Sequence, residues 1–406
     1  MIPIEEALKI VEENIPIRRV VRLRLEDAFG RCLAEDLTAP EASPRYTNSA
    51  MDGYALSWAD CAGASPNTPI FLEIVGESQA GIPFAGELAA GCAVRISTGA
   101  MLPVGSDTVL RLEDSREEEG RLEVLQKPVL GQDVRQVGEE FQPGDRLLAK
   151  GALLKARELA ILAAVGISEV MVLASPRVAI LVTGTELANH DNAAILPYQI
   201  RDSNALMLMA AVRECAGETV LAQRLEDSLI AATAAIAGAQ AAGADIILCS
   251  GGVSVGRHDH VKEATLAAGF KQLFWKVKQK PGKPLFFCRR DDTLFFGLPG
   301  NPVSTYMCFY KYVAPVLANL TGRRPDGRSA GGRLIGAAAA PLVNDDNRTH
   351  LTRVRLAWRD HELPLVSKLR HQGSHMLTGL VMADGFITLE PGQTVAAGEL
   401  IEVSLF

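Results

Sequence analysis

Apolar residues at Ile4, Ala7, Leu8, Val11 and Ile15 recur with a helical period, and Pro3 suits a first helical turn. A helix is predicted over 3–15, followed by strand and turn over 20–38. From about 45 to 145 the texture changes to short β-like runs broken by Gly and Pro: PIFLEIVG, AVRIST, DTVLRLED and RLEVLQKP. That pattern predicts an all-β module. The run RELAILAAVG over 157–166 returns to a helical period and ends at Gly166, which suits the residue just past a helix. The β module therefore reads as an insertion between two parts of one helical domain.

From Arg177 strand and helix patterns alternate. VAILVTG is a strand, and Ser203 or Asn204 caps a helix running to Ala216. TVLAQRL is a strand, followed by an Ala-rich helix over 228–242 that Asp227 or Ser228 caps. DIILCSGG is a strand, 260–268 a helix, FWKVKQK and PLFFCRR extend, TLFFGLPG is a strand and 303–320 a helix. This alternation predicts a doubly wound parallel sheet. After about 325 the helical patterns stop, and RLIGAAAAPLV, HLTRVRLAW, PLVSKLR, GFITLE and ELIEVSLF predict a small terminal β-barrel or sandwich. The expected division is a split helical domain (1–44 plus 146–175), an inserted β domain (45–145), an α/β domain (176–325) and a C-terminal β-barrel (326–406).

Composition narrows the partners. Lys plus Arg is 41 against 48 for Asp plus Glu, a net charge of −7, and no cationic block suggests nucleic acid. The long uncharged stretch from Ser228 to Ala244 carries Ser, Thr, Gln and Gly, so no membrane span is expected there. The seven cysteines lie at least twenty residues apart with no C-x-x-C, which points to a reduced, cytoplasmic protein with buried thiols.

Ligands of open α/β sheets bind beyond the carboxyl ends of the strands. The polar clusters sit at those ends: Thr183-Gly184-Thr185-Glu186, Glu226-Asp227, Gly251-Gly252-Val253-Ser254-Val255-Gly256 with Asp259, Lys280-Pro281-Gly282-Lys283-Pro284, and Leu298-Pro299-Gly300-Asn301-Pro302. Glycines let backbone N–H groups approach an anion, and lysines supply point charge for an oxyanion. Glu186, Asp227 and Asp259 are hard oxygen ligands that Mg²⁺ accepts beside substrate phosphate. Together they predict a phosphorylated or nucleotide-like ligand with a divalent metal. Each piece has a plainer reading. Asp227 and Asp259 stand at helix starts and read equally as caps, and Lys276, Lys278 and Lys280 alternate like one solvated strand face. GGVSVG is neither a dinucleotide fingerprint nor a Walker A loop. His258, His260, His371 and His375 lack a third clear metal ligand, and Ser254 and Ser374 lack a nucleophile-elbow setting.

Eight segments in order, NSAMDGYA (48–55), STGAMLPVGSDTV (97–109), RQVGEE (135–140), VTGTEL (182–187), SGGVSVG (250–256), KPGKP (280–284), GLPGNPVS (297–304) and HQGSH (371–375), resemble the MoeA-type molybdopterin molybdenumtransferases, the family that includes the gephyrin E domain. The resemblance implies a molybdopterin-binding α/β domain and a reaction in molybdenum cofactor biosynthesis. Adenylylated molybdopterin and molybdate react, AMP is released with Mg²⁺ or another divalent cation, and molybdenum enters the dithiolene. It further implies catalytic roles for Asp52, Thr98, Asp227, Asp259, Lys276 and Lys280. Substrate contacts fall to Glu186, Gly251, Gly252, Ser254, Gly256, Pro299, Pro302, Arg353 and Ser374, with Glu186, Asp227 and Asp259 as metal ligands. A homodimer and contact with a molybdopterin adenylyltransferase are implied as well. Two departures stand out: Gly138-Glu139-Glu140 replaces the family's frequent Gly-Glu-Asp, and Arg257-His258 precedes Asp259 where acidic or small residues are common. The competing readings are an adenylyltransferase built on the same α/β domain and a non-catalytic molybdopterin-binding scaffold.

Overall fold

The first helix, α1 (Ile4–Glu13), turns Ile4, Ala7 and Val11 into the core, as its period demands. In the computed structural model, residues 1–253, 259–324 and 331–406 are described. Ser254, Gly256, Arg257 and His258 lie outside them. The chain forms two compact units, one of Met1–Ala34, Gly151–Lys155 and Glu169–Phe406, the other of Glu35–Lys150 and Ala156–Ser168.

The second unit holds a six-stranded sheet of β1 (Gly53–Leu56), β2 (Ile70–Ser78), β3 (Cys92–Ile96), β4 (Thr108–Arg111), β5 (Ser115–Glu118) and β6 (Arg121–Val124), ordered β4-β1-β3-β2-β6-β5. All four residues of β1 are buried, because strands pair on both its edges and side chains pack on both its faces. Helix α2 (Ala156–Ala164) also belongs to this unit, whereas α1 belongs to the first.

The first unit centres on a second six-stranded sheet. Its strands are β7 (Arg177–Thr183), β8 (Glu218–Leu225), β9 (Ile246–Ser250), β10 (Lys271–Trp275), β11 (Phe286–Arg290) and β12 (Thr293–Leu298), ordered β8-β7-β9-β12-β11-β10. The four strands β8, β7, β9 and β12 are parallel, as expected, while β11 runs antiparallel to both neighbours. The hairpin between β11 and β12 is too short for the crossover that a parallel pair needs.

Alternation along β7 explains how the sheet is covered. Val178, Ile180 and Val182 face one core, shared with α1, α3 (Asn204–Glu214) and α6 (Pro302–Cys308). Ala179 and Leu181 face the other, shared with α4 (Leu229–Ala241) and α5 (Val261–Ala267). The predicted helix over 303–320 continues past α6 through a π-helical turn, Phe309–Val313, into Ala314–Thr321. Pro315 lies just beyond that turn and has no N–H to continue the regular ladder.

The C-terminal strands β13 (Arg333–Ala338), β14 (Thr349–Ala357), β15 (Leu365–Lys368), β16 (Gly385–Leu389) and β17 (Leu400–Leu405) close into a five-stranded barrel, β14-β15-β13-β17-β16 and back to β14. Its interior is a small aliphatic core including Val354, Val366, Ile387, Leu389 and Val403. Among the described residues no helix is long and apolar enough to cross a membrane. Burial raises the thiols of Cys249 and Cys308 to about 12, so neither is a ready nucleophile.

Candidate active site

The order of the first unit's sheet creates a topological switch point. β7 leads through α3 to β8 on one side, and β8 leads through α4 back across to β9 on the other. Beyond the carboxyl ends of β7 and β9 lies a cleft of about 920 Å³, where such sheets leave room for a ligand. Its rim is narrow at Gly251, which has φ +94°; a Cβ there would meet the Thr183 carbonyl oxygen at 2.7 Å. Only glycine lets the two strand ends approach so closely.

All five predicted loops reach this cleft. Thr183, Gly184 and Glu186 line it after β7, Asp227 after β8, and Gly251, Gly252 and Asp259 after β9. Lys280 to Pro284 line it before β11, and Pro299 to Pro302 after β12. The barrel contributes Arg348, His350, Lys368 and Ser374. Of the substrate-contact expectations, Glu186, Gly251, Gly252, Pro299, Pro302 and Ser374 therefore stand on one surface, and of the catalytic ones Asp227, Asp259 and Lys280. Ser254 and Gly256 fall outside the described residues.

Asp227 is not the cap of α4. The Ser228 hydroxyl caps it, accepting from the Ala231 N–H at 3.1 Å. The Asp227 carboxylate instead turns to β7, accepting from the Thr183 hydroxyl and from the Thr185 N–H and hydroxyl at 3.0 and 3.3 Å. Neither Ser203 nor Asn204 caps α3 by side chain; Asp202 does so, accepting from the N–H groups of Asn204 and Ala205. That frees the buried Asn204 amide to donate to the Ser250 hydroxyl and the Gly300 carbonyl, both at 2.8 Å. Thr305 binds the Pro299 carbonyl of the same turn, so a polar network under the cleft floor sets the Pro299–Asn301 backbone.

Lys276 and Arg353, both expected at the site and both in the first unit, do not line the cleft. Lys276 has φ +67°, which breaks the strand after Trp275, and its Nζ lies 3.9 Å from the Trp275 ring centroid. The lysines at 276, 278 and 280 thus do not form one strand face. Arg353 is 1% exposed and donates to the carbonyls of His371 and Gly373, so it holds the HQGSH loop from behind. Arg348, five residues earlier, lines the cleft in place of Arg353, as Arg201 also does, and neither Arg348 nor His350 had a motif to mark it.

The cationic rim has its own carboxylate. Asp346 accepts from Arg348 at 3.0 and 3.3 Å and from Lys280 Nζ at 3.2 Å. His350 Nε2 lies 3.3 Å away, off the line of a hydrogen bond. The Arg348 hydrogen bonds first, then the imidazole and the lysine, hold the Asp346 carboxyl well below the usual carboxylate range.

Asp52 and Thr98 belong to the second unit. The β1–β3 register sets Gly53 opposite Ile96 and so brings the residues flanking them together. Asp52 accepts from the Thr98 N–H at 2.6 Å and from its hydroxyl at 3.0 Å. The backbone N–H first, then the hydroxyl, lowers the Asp52 pKa. The interaction is therefore fully present above the unfolded-state pKa and is lost as pH falls through the folded one. Thr98→Val is expected to raise the Asp52 pKa only part of the way back, since the N–H remains; carboxyl ¹³C titration by NMR reads this, and an unchanged value would show the hydroxyl plays no part. Glu140, at the departure from the family pattern, accepts from the Ser43 hydroxyl at 2.7 Å.

Among the described residues no three His, Cys, Asp or Glu side chains gather into a metal cage, so the trio Glu186, Asp227 and Asp259 does not form one. Carboxylates spread along a cleft suit Mg²⁺, which keeps few protein ligands and shares the rest of its shell with water and substrate phosphate.

Comparison with known proteins bears on the whole chain. Residues 2–166 match the family model of the MoeA N-terminal region (domain I and II), 179–319 that of the probable molybdopterin binding domain, and 336–406 that of the MoeA C-terminal region (domain IV). The chain is 33% identical over 409 residues to the molybdopterin molybdenumtransferase of Haemophilus influenzae, covering 100% of this chain and 99% of that one. It is 32% identical over 415 residues to that of Bacillus subtilis, covering 100% and 94%. Among solved structures it is similar to a molybdopterin biosynthesis MoeA protein of Pyrococcus horikoshii, with TM-score 0.85 and 29% identity over 100% of this chain and 99% of that one. With all three regions matched in order and relatives aligned end to end, the chain belongs to the MoeA family of molybdopterin molybdenumtransferases.

Proposed function

We propose that the cleft takes adenylylated molybdopterin and molybdate, releases AMP, and passes molybdenum to the dithiolene as a step of molybdenum cofactor biosynthesis. The observation that carries this reading is one cleft lined both by the carboxylates Glu186, Asp227 and Asp259 and by the cations Arg201, Lys280, Lys283, Arg348 and Lys368. A substrate with phosphate oxygens, a second oxyanion and a divalent cation needs both signs of charge at close quarters.

In this reading the cations bind phosphate and molybdate oxygens, and Gly251 and Gly252 let backbone approach them. Glu186, Asp227 and Asp259 would hold Mg²⁺, which supplies charge neutralisation as the P–O bond to the adenylyl group breaks. Thr183 and Thr185 keep the Asp227 carboxylate aimed by three donors. Homodimerisation and handover from a molybdopterin adenylyltransferase belong to the same proposal, on the family resemblance.

The test is incubation with adenylylated molybdopterin. AMP release that requires both molybdate and a divalent cation supports the reading; tight binding with no AMP under any condition overturns it. Lys280→Ala is expected to raise KM about tenfold, as loss of a charge-assisted contact does. Arg22→Ala should change it less than about twofold, because Arg22, on the strand Val20–Arg24, is exposed and its ion pair with Glu169 is exposed too. Equal effects in steady-state kinetics would make Lys280 mere surface charge.

A further inference from the structure

Asp346 does not line the cleft, yet its carboxylate touches the side chains that give one edge of the rim its charge. Its own place is set from inside the barrel. Asn344 is fully buried, and its amide donates to the carbonyls of Arg348, Leu389 and Glu390. The Asn344 side-chain oxygen accepts from the Asp346 N–H at 3.1 Å, closing a turn that carries Asp346 and Arg348 together. From the other side, Gln279 and Lys280 pair with Thr349 and His350 at the start of β14, which brings Lys280 to the same carboxylate.

Lys280 and Arg348 are long side chains with much rotamer freedom, 53% and 30% exposed, while Asp346 is 19% exposed. Left alone, each cation would sample many positions over the cleft. One carboxylate, bidentate to Arg348 and bonded to Lys280, restricts both.

We propose that Asp346 is a positioning residue for anion binding, holding Lys280 and Arg348 in the geometry in which they meet the oxyanion. This rests on the cleft being the anion site proposed above. It makes a prediction opposite in sign to simple charge counting. Asp346→Asn removes a negative charge beside the cleft, so Coulomb's law alone has an anion bind more tightly. If Asp346 acts by positioning, the anion binds more weakly.

The experiment is calorimetric titration of the full chain with sodium molybdate at fixed ionic strength. D346N is expected to raise Kd about tenfold, and D346E, which keeps the carboxylate, to return it to within about threefold of wild type. In a K280A background the same D346N change should cost less than about threefold, because one of the two side chains it acts through is gone. A merely structural role would give no such coupling and no rescue by glutamate. Thermal unfolding checks the fold, and D346S serves the same arm if D346N does not fold. Equal or tighter molybdate binding by the folded variant, or full additivity with K280A, overturns the proposal alone. No molybdate binding by the wild type overturns the proposed function and this inference with it.

Discussion

Replacing Asp227 by asparagine is expected to lower turnover by two to three orders of magnitude with little change in thermal midpoint. The carboxylate stands at the carboxyl end of β8, lines the cleft, and accepts three hydrogen bonds from Thr183 and Thr185. Those three donors mark it as an acceptor on both oxygens. An amide can keep its oxygen on the Thr185 N–H and turn its NH₂ to the Thr183 hydroxyl, which rotates to accept, so the fold tolerates the change. It would also remove one of the charges that, in the proposed function, would hold the divalent cation. A loss of ~10²–10³ corresponds to about 3–4 kcal/mol of transition-state stabilisation, within what a metal and its charge contribute. Asp259→Asn should act in the same direction, since Asp259 lines the same cleft. Initial rates at saturating Mg²⁺, paired with thermal unfolding, check both. Turnover within about threefold of wild type for the two variants would sink the metal-site reading.

Gly282→Ala should damage both stability and anion binding. Gly282 has φ +91°, and an added Cβ would lie 2.4 Å from the Cys308 sulfur and 2.8 Å from the Gln279 side-chain nitrogen. Neither neighbour has room to move. Cys308 and Gln279 are both fully buried, and Gln279 is held by the Tyr312 hydroxyl and by its own bond to the Gly282 carbonyl. Overpacking and left-handed backbone strain together are expected to cost about 2–4 kcal/mol. The strain falls on the loop that carries Lys280 and Lys283 into the cleft, so molybdate affinity should fall as well. The double variant G282A/C308A removes the nearer clash and should recover part of the stability, leaving the backbone strain. Denaturant unfolding and calorimetry read the two effects. Wild-type stability in the single variant would mean that the loop is not seated on Cys308.

Much of this was legible in the chain. Strand–helix alternation from Arg177 sufficed for the sheet and for the five loops at its carboxyl edge, because period and turn chemistry are local. Asp227 was open between a helix cap and a site carboxylate; only the structure shows the Ser228 hydroxyl taking the cap and the aspartate turning to β7. The lysine series shows the opposite outcome. Alternation at 276, 278 and 280 suggested one face, but a left-handed residue at Lys276 sends its side chain over Trp275, and nothing in the local pattern announces that break.

By itself the sequence determined the classes of structure, the glycine and proline loops, and the identity of the carboxylates and lysines at strand ends. These follow from hydrophobic period, backbone freedom and side-chain chemistry, which are properties of short segments. The tertiary structure alone decided the direction of β11, the closure of the terminal strands into a barrel, and that Arg348 rather than Arg353 reaches the cleft. Arg348 and Arg353 sit five residues apart with no motif to tell them apart. Packing buries Arg353 against the carbonyls of His371 and Gly373, while the Asn344 turn presents Arg348 to Asp346 and the cleft. Which side a residue faces there depends on partners scores of residues away in the chain, such as Lys280, 66 positions before Asp346. Such partners meet only when the barrel closes beside the α/β sheet of the same unit.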